Sequence, residues 1–252
     1  MTHPKIAVVT GASSGIGAAV VNRLALDGCQ VVLLARDVER MNQVANQHPG
    51  LVSTVIETDV RSSDSVNGAF KKISLSFGKI DILCAVAGIF QERTQIEDQS
   101  DTDWADILET NLSGVMRCVR SAWPLLSQGA AIVTVGSVLG KMAQPGVAAY
   151  AASKAGLAVF TRTLSSEGIS KNIRANMVIP GMVKTPMNQQ MAEASGNADK
   201  WWSSRLSAVP LGRAADPSEI AEAICWLAGD QASFVTGAEI LLDGGTLLGP
   251  LP

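Results

Sequence analysis

Short apolar runs alternating with longer stretches of helical period most limit what this chain can fold into. The runs are Ile6–Thr10, Val31–Ala35, Val52–Glu57, Ile80–Ala87, Ala131–Gly136, Arg174–Ile179 and Glu239–Leu242. Most are apolar without interruption rather than at every second residue, which implies burial on both faces, as in a parallel sheet covered by helices. Parallel neighbours need long crossovers of one hand, and helices supply them. The pattern therefore predicts an α/β fold, a doubly wound, seven-stranded, mostly parallel sheet with helices on both faces. At 252 residues, without a linker, repeat or low-complexity tract, one domain spanning 1–252 is expected. In such sheets ligands bind beyond the carboxyl ends of the strands. The motifs below fall at those ends.

Composition removes several classes of function. A net charge of −3 leaves no basic footprint for nucleic acid or an anionic membrane surface. The apolar run in residues 1–10 is too short to span a membrane and lacks a signal-peptide cleavage pattern, and a cytoplasmic location is expected. The four cysteines (Cys29, Cys84, Cys118, Cys225) have no paired spacing, so they read as core fillers rather than metal or disulfide partners. With only His3 and His48 available, neither a zinc site nor a histidine-based triad is expected, and no metal is assigned.

Ile6–Thr10 runs straight into Gly11-Ala12-Ser13-Ser14-Gly15-Ile16-Gly17 and then a helical pattern to about Asp27. Glycines let the chain turn sharply and let backbone N–H groups approach a ligand. The helix start that follows offers unpaired donors and partial positive charge to a pyrophosphate. The spacing Gly-x-x-x-Gly-x-Gly differs from the familiar dinucleotide fingerprint, and no Gly-Lys-Ser/Thr ending makes it a P-loop.

Tyr150 is the chain's single tyrosine, four residues before Lys154 in Tyr150-Ala151-Ala152-Ser153-Lys154. On a helix these positions share a face. A free phenol has a pKa near 10, and a neighbouring cation favours the phenolate. A depression of roughly two to three units would make the phenol an acid–base group near neutrality.

With both motifs in place, the chain resembles the short-chain dehydrogenase/reductase family over nearly its whole length, and specifically its 3-oxoacyl-thioester reductase-like carbonyl reductases. Asn111-Leu112-Ser113-Gly114 is similar to the family's Asn-x-x-Gly element, and Gly136-Ser137 to its catalytic serine. Pro180-Gly181 with Thr185-Pro186-Met187 matches the nicotinamide-side loop, and Asp243-Gly244-Gly245 the C-terminal element. The resemblance implies a Rossmann-type fold and hydride transfer between a nicotinamide cofactor and a carbonyl or secondary alcohol. In it Tyr150 is the general acid or base, and Lys154 binds the nicotinamide ribose and lowers the tyrosine pKa. Ser137 holds the substrate oxygen, and Asn111 holds a helix kink and a water. The implied cofactor contacts are Gly11, Ser13, Ser14, Gly15, Ile16, Gly17, Arg36, Asp59, Val60, Ala87, Gly88, Tyr150, Lys154, Pro180, Gly181, Val183, Thr185 and Met187, with Asp59 meeting the adenine edge. One departure stands out: Ala85-Val86-Ala87-Gly88 replaces the family's usual Asn-Asn-Ala-Gly, so bracing must come from packing or other donors.

Cofactor choice rests on the end of the second strand, Leu34-Ala35-Arg36-Asp37. NAD-preferring relatives often carry an acid where Ala35 stands, and Arg36 suits a 2′-phosphate. NADP(H) is favoured. Ser13-Ser14, without a second basic residue, keeps NAD(H) as the alternative, and a non-catalytic dinucleotide sensor is the reading from another class.

On the substrate side, residues 188–208 are expected to form a lid carrying Met191, Trp201, Trp202 and Leu206. The paired tryptophans suit an apolar substrate, a subunit interface or core equally. Leu139, Met142, Gln144, Val147 and Met182 are candidate pocket residues, describing a mostly apolar site without a fixed carboxylate-binding cation. Leu125–Ala130 lacks the basic cluster that would dock acyl carrier protein, so a free ketone or secondary alcohol fits better. The resemblance implies a homotetramer, and the apolar closing run Leu247–Pro252 suits either a covered interface or a free tail.

Overall fold

The computed structural model describes residues 4–90 and 93–249. Seven strands form one sheet: β1 (Ile6–Thr10), β2 (Gln30–Ala35), β3 (Val52–Glu57), β4 (Ile80–Ala85), β5 (Leu126–Val135), β6 (Arg174–Pro180) and β7 (Glu239–Leu242). Their order is β3-β2-β1-β4-β5-β6-β7, and every pairing is parallel. The order reverses between β1 and β4, the switch point at which a doubly wound sheet opens a crevice.

The uninterrupted apolar strands are buried on both faces because helices cover both. The helices are α1 (Gly15–Leu26), α2 (Val38–Ala45), α3 (Ser63–Phe77), α4 (Asp101–Leu108), α5 (Gly114–Ala122), α6 (Ala148–Gly168), α7 (Pro186–Ala194), α8 (Ala198–Leu206) and α9 (Pro217–Ala228). Ala7, Val9 and Leu33 point into one core with α1, α2 and α9. Val8, Val32 and Leu34 point into the other with α3, α5 and α6. Successive strand residues thus feed opposite layers, as the two-residue period of a strand requires. All four cysteines are buried as free thiols within these cores.

Two strand boundaries differ from the sequence expectation by two residues or more. β4 ends at Ala85 rather than Ala87, because the Val86 and Ala87 N–H groups turn to donate to Thr10 Oγ1, each at 3.1 Å. β5 starts at Leu126 rather than Ala131. Leu126 pairs with Ile80 and Ala131 with Ile82, so residues 127–130 bulge out through Gly129 at φ 81°. Ser127–Ala130 thus form a bulge inside the strand. The sheet is also wholly rather than mostly parallel.

His3 and residues 250–252 of the closing run lie outside the described residues, and no described helix is long and apolar enough to cross a membrane.

Candidate active site

A cleft of about 1280 Å³ runs along the carboxyl ends of the strands, from α2 to α8. That exceeds the volume of most single-ligand sites, about 300–1,000 Å³. It has room for two ligands end to end.

The glycine turn forms its floor. Gly11 (φ 67°) and Gly15 (φ 53°) occupy the left-handed region. A Cβ on Gly11 would lie 2.8 Å from Ala87 Cα, and one on Gly17 only 2.1 Å from Gly11 O. No side chain fits at either place. Ser14 is the N-cap of α1 but its hydroxyl makes no capping bond, so the amides of the first turn stay open toward the cleft. Gly11, Ser13, Ser14, Gly15, Ile16 and Gly17 all line it. The turn fits a pyrophosphate.

At the adenosine end the expected Arg36, Asp59 and Val60 line the cleft. Arg36 is exposed and makes no hydrogen bond or ion pair among the described residues. Asp37 is occupied: it caps α2 by accepting from Arg40 N at 2.9 Å and pairs with the Arg40 side chain at 3.3 Å. Arg40 also lines the cleft. Sequence reading missed it, although Arg36 and Arg40 sit four apart across a helix start. Asp59 is tied to Arg61 at 3.1 Å, and that partner holds its carboxyl below its usual range.

Ala87 and Gly88 line the middle of the cleft. Their bracing, without the two usual asparagines, comes from Thr10 Oγ1 and from Asn111. Asn111 lies in a π-helical turn, Glu109–Ser113, between α4 and α5. Its Oδ1 accepts from Ile89 N at 2.8 Å, and its Nδ2 donates to Ile89 O at 2.9 Å and Ser153 Oγ at 3.3 Å. Asn111 is fully buried and does not line the cleft, so it positions the neighbours that do.

Tyr150 stands in the first turn of α6 and Lys154 one turn on, with Lys154 Nζ 5.6 Å from the phenol ring centroid. Lys154 is buried and donates to Val135 O at 2.8 Å. Ser137 follows β5, beside Tyr150, and its Oγ accepts from Leu139 N at 3.2 Å. Burial governs both titrations. It pushes the Tyr150 phenol up to about 12, against a hydrogen bond with Ser137 that acts the other way. It draws Lys154 down to about 8. The phenol is thus raised rather than depressed, because its desolvation outweighs the hydrogen bond with Ser137.

Pro180, Gly181, Val183, Thr185 and Met187, expected on the nicotinamide side, all line the cleft. Gly181 packs against Asp243, where a Cβ would come within 2.8 Å of the Asp243 Cα, and the Asp243 carboxylate accepts from Gly245 N and Leu247 N. Thr185 caps α7, accepting from Asn188 N at 3.3 Å, and its side chain lies against Gly15. The α7–α8 segment is thereby anchored over the glycine turn.

At the substrate end Leu139, Met142, Gln144 and Met182 line the wall, but Val147 does not: it is buried beneath, at the N-cap of α6. Met191 and Trp201 face the cleft; Trp202 and Leu206 do not line it, and Trp202 meets the Trp201 ring edge-on at 5.0 Å. Phe90 packs on Tyr150 with ring centroids 4.7 Å apart, a contact nothing in the sequence announced. Arg93 and Arg205 also line the cleft, cations that sequence reading did not place there.

Comparison with known proteins agrees with this anatomy. A family model described as enoyl-(acyl carrier protein) reductase matches residues 11–246. The chain is 37% identical to carbonyl reductase family member 4 of Danio rerio over 245 residues, 97% of this chain and 98% of that protein. It is 36% identical to the 3-oxoacyl-(acyl-carrier-protein) reductase FabG of Escherichia coli (strain K12) over 243 residues, 96% of each. Among solved structures, the aldohexose dehydrogenase of Thermoplasma acidophilum superposes with a TM-score of 0.89 at 29% identity, covering 99% of this chain and 96% of that one. Sheet order, glycine turn, tyrosine–lysine pair and sequence similarity agree: the chain belongs to the short-chain dehydrogenase/reductase family of oxidoreductases.

Proposed function

We propose that this protein is an NADP(H)-dependent carbonyl reductase with Tyr150 as its general acid. The observation that carries the reading is the convergence of Tyr150, Ser137 and Lys154 at one point of a cleft whose far end holds Arg36 and Arg40. A nicotinamide cofactor supplies the hydride. Its pyrophosphate would rest on Gly11–Gly17, its 2′-phosphate against Arg36 and Arg40, and its nicotinamide between Tyr150, Lys154 and the Pro180–Met187 segment.

The protein's own task is the proton. Hydride addition to a carbonyl leaves an alkoxide, far more basic than phenolate; water itself has a pKa of about 15.7. Tyr150, pushed up to about 12, keeps its proton at neutral pH and can still donate it downhill to that oxygen. Ser137 Oγ orients the same oxygen. Lys154, charged below about 8, stabilises the phenolate left behind. A protonated phenol suits reduction; alcohol oxidation first needs the phenolate. The substrate side, walled by Phe90, Met142, Met182 and Trp201, fits a small, partly apolar carbonyl compound.

The exposed side chains of Val159, Trp226, Phe234 and Leu241, beside the short, unpaired edge strand β7, support a homo-oligomer, by family likeness a tetramer. The cofactor assignment is tested by titrating the protein with NADPH and with NADH, following quenching of its tryptophans. The expected result is a preference for NADPH of tenfold or more, on the order of a 1.4 kcal/mol difference, that Arg36→Ala removes. A preference for NADH unaffected by Arg36→Ala would transfer the protein to the NAD-dependent alternative.

A further inference from the structure

The substrate half of the cleft holds two arginines that neither the cofactor nor the proton transfer uses. Arg205, on α8, lays its guanidinium on the ring of Trp201, 3.9 Å from the centroid, and Trp201 is itself buried. Among the described residues its one hydrogen bond runs to Trp201 O at 3.4 Å, leaving most of its five N–H donors without a partner there. Arg93 follows Phe90, the residue stacked on Tyr150, and is pinned at the mouth of the site. It donates to Pro145 O at 2.9 Å and to Gln144 Oε1 at 2.7 Å, both in the loop that leads into Tyr150. The two charges feel one another: burial draws Arg205 down, and the charge of Arg93 acts in the same direction. Neither forms an ion pair among the described residues.

Two cations lining one end of a cleft can meet an anion jointly, and guanidinium edges match a carboxylate two bonds at a time. We propose that Arg93 and Arg205 together bind the carboxylate of the substrate, making it an oxo acid or its hydroxy acid rather than a neutral ketone. The assignment rests on the carbonyl-reductase reading above. A free carboxylate is favoured over an acyl thioester on chemical grounds. The phosphates of coenzyme A stand a whole pantetheine arm away from the carbonyl, whereas Arg205 is stacked on a buried tryptophan in the cleft wall. The aromatic surface beneath the charge suits the short carbon chain between carbonyl and carboxylate.

The test compares 4-oxopentanoate, 5-oxohexanoate and 4-oxocyclohexanecarboxylate with their methyl esters and with acetoacetyl-CoA, using NADPH and NADH. The expected result is a kcat/KM at least tenfold higher for one of the acids than for its ester. Arg93→Gln and Arg205→Gln should each abolish that advantage while leaving turnover of the ester within about threefold. Equal or better turnover of the esters or of the thioester, or variants that lower acid and ester alike, would overturn the carboxylate site and leave the reductase reading intact. Arg205→Lys separates charge from stacking, and partial retention of the acid preference is expected from it. Saturated cyclohexanecarboxylate provides a readout independent of catalysis. Tryptophan quenching by this acid, absent with its methyl ester and lost in Arg205→Gln, without turnover of any carbonyl, would keep the arginine site and discard the reductase reading. Neither binding nor turnover would discard both.

Discussion

Desolvation raises the Tyr150 phenol and lowers the Lys154 ammonium, and that sets the pH behaviour. Lys154 is charged below about 8 and Tyr150 protonated up to about 12. Reduction should therefore hold steady through neutrality and decline above about pH 8, as Lys154 loses the charge that stabilises the phenolate; oxidation of the corresponding alcohol should climb as pH rises. Initial rates in both directions across the pH range check this, and a reduction rate that increases above pH 8 would contradict it. Stability carries the same information with a definite sign. The folded pKa of Lys154 lies below the ordinary lysine value of 10.5, so between about 8 and 10.5 the unfolded chain binds a proton that the folded chain does not. The protein should thus gain stability as pH rises through that window, and below it a buried ammonium costs up to about 3 kcal/mol. Lys154→Met removes that cost and also the bond to Val135 O, worth about 1 kcal/mol. Urea melts at pH 7 should show the variant more stable by about 2 kcal/mol and inactive, a trade of stability for chemistry. A less stable variant would mean that the lysine is not desolvated.

Among the elements, the glycine turn and the π-helical turn leave least latitude. Gly17→Ala would put a methyl group 2.1 Å from Gly11 O, backbone against backbone at the base of α1. The expected cost is about 1–3 kcal/mol of stability, with loss of dinucleotide binding, checked by thermal denaturation and by NADPH titration. Asn111→Ala leaves both Ile89 N–H and C=O without their partner and should destabilise by about 2 kcal/mol or more, while displacing Phe90 from Tyr150. How well each element could be read follows from how local its causes are. Strands and helices were legible because apolar runs and helical period are properties of neighbouring residues. The glycine turn and the Tyr150–Lys154 spacing are local too. The bulge within β5, the Thr10 brace that replaces two asparagines, and the packing of Phe90 on Tyr150 join segments 46 to 77 residues apart, and no spacing reveals them. Val147 was misplaced for the same reason: the loop position suggested the pocket, and packing sent it beneath. Arg205 sits four residues after Trp201, a helical stacking distance that was available in the sequence; its meeting with Arg93 was not.

For the whole molecule, one sheet with its switch point between β1 and β4 brings the cofactor turn, the proton donor and the α7–α8 cover to a single edge. β7 leaves that sheet with an unpaired side, next to exposed apolar residues, and sedimentation velocity should find a tetramer; a monomer at micromolar concentration would contradict the assembly proposed from that edge. The proposed reaction moves a proton through Tyr150. The most direct measurement is NADPH consumption by the wild type and by Tyr150→Phe over a panel of ketones and oxo acids, with NADPH affinity measured on the same samples. The variant keeps ring, packing and cleft and loses only the hydroxyl. The account predicts a fall in turnover of at least 10³-fold, within the range by which a positioned proton donor accelerates reactions, with NADPH affinity changed by less than about threefold. Turnover within tenfold of the wild type would contradict it.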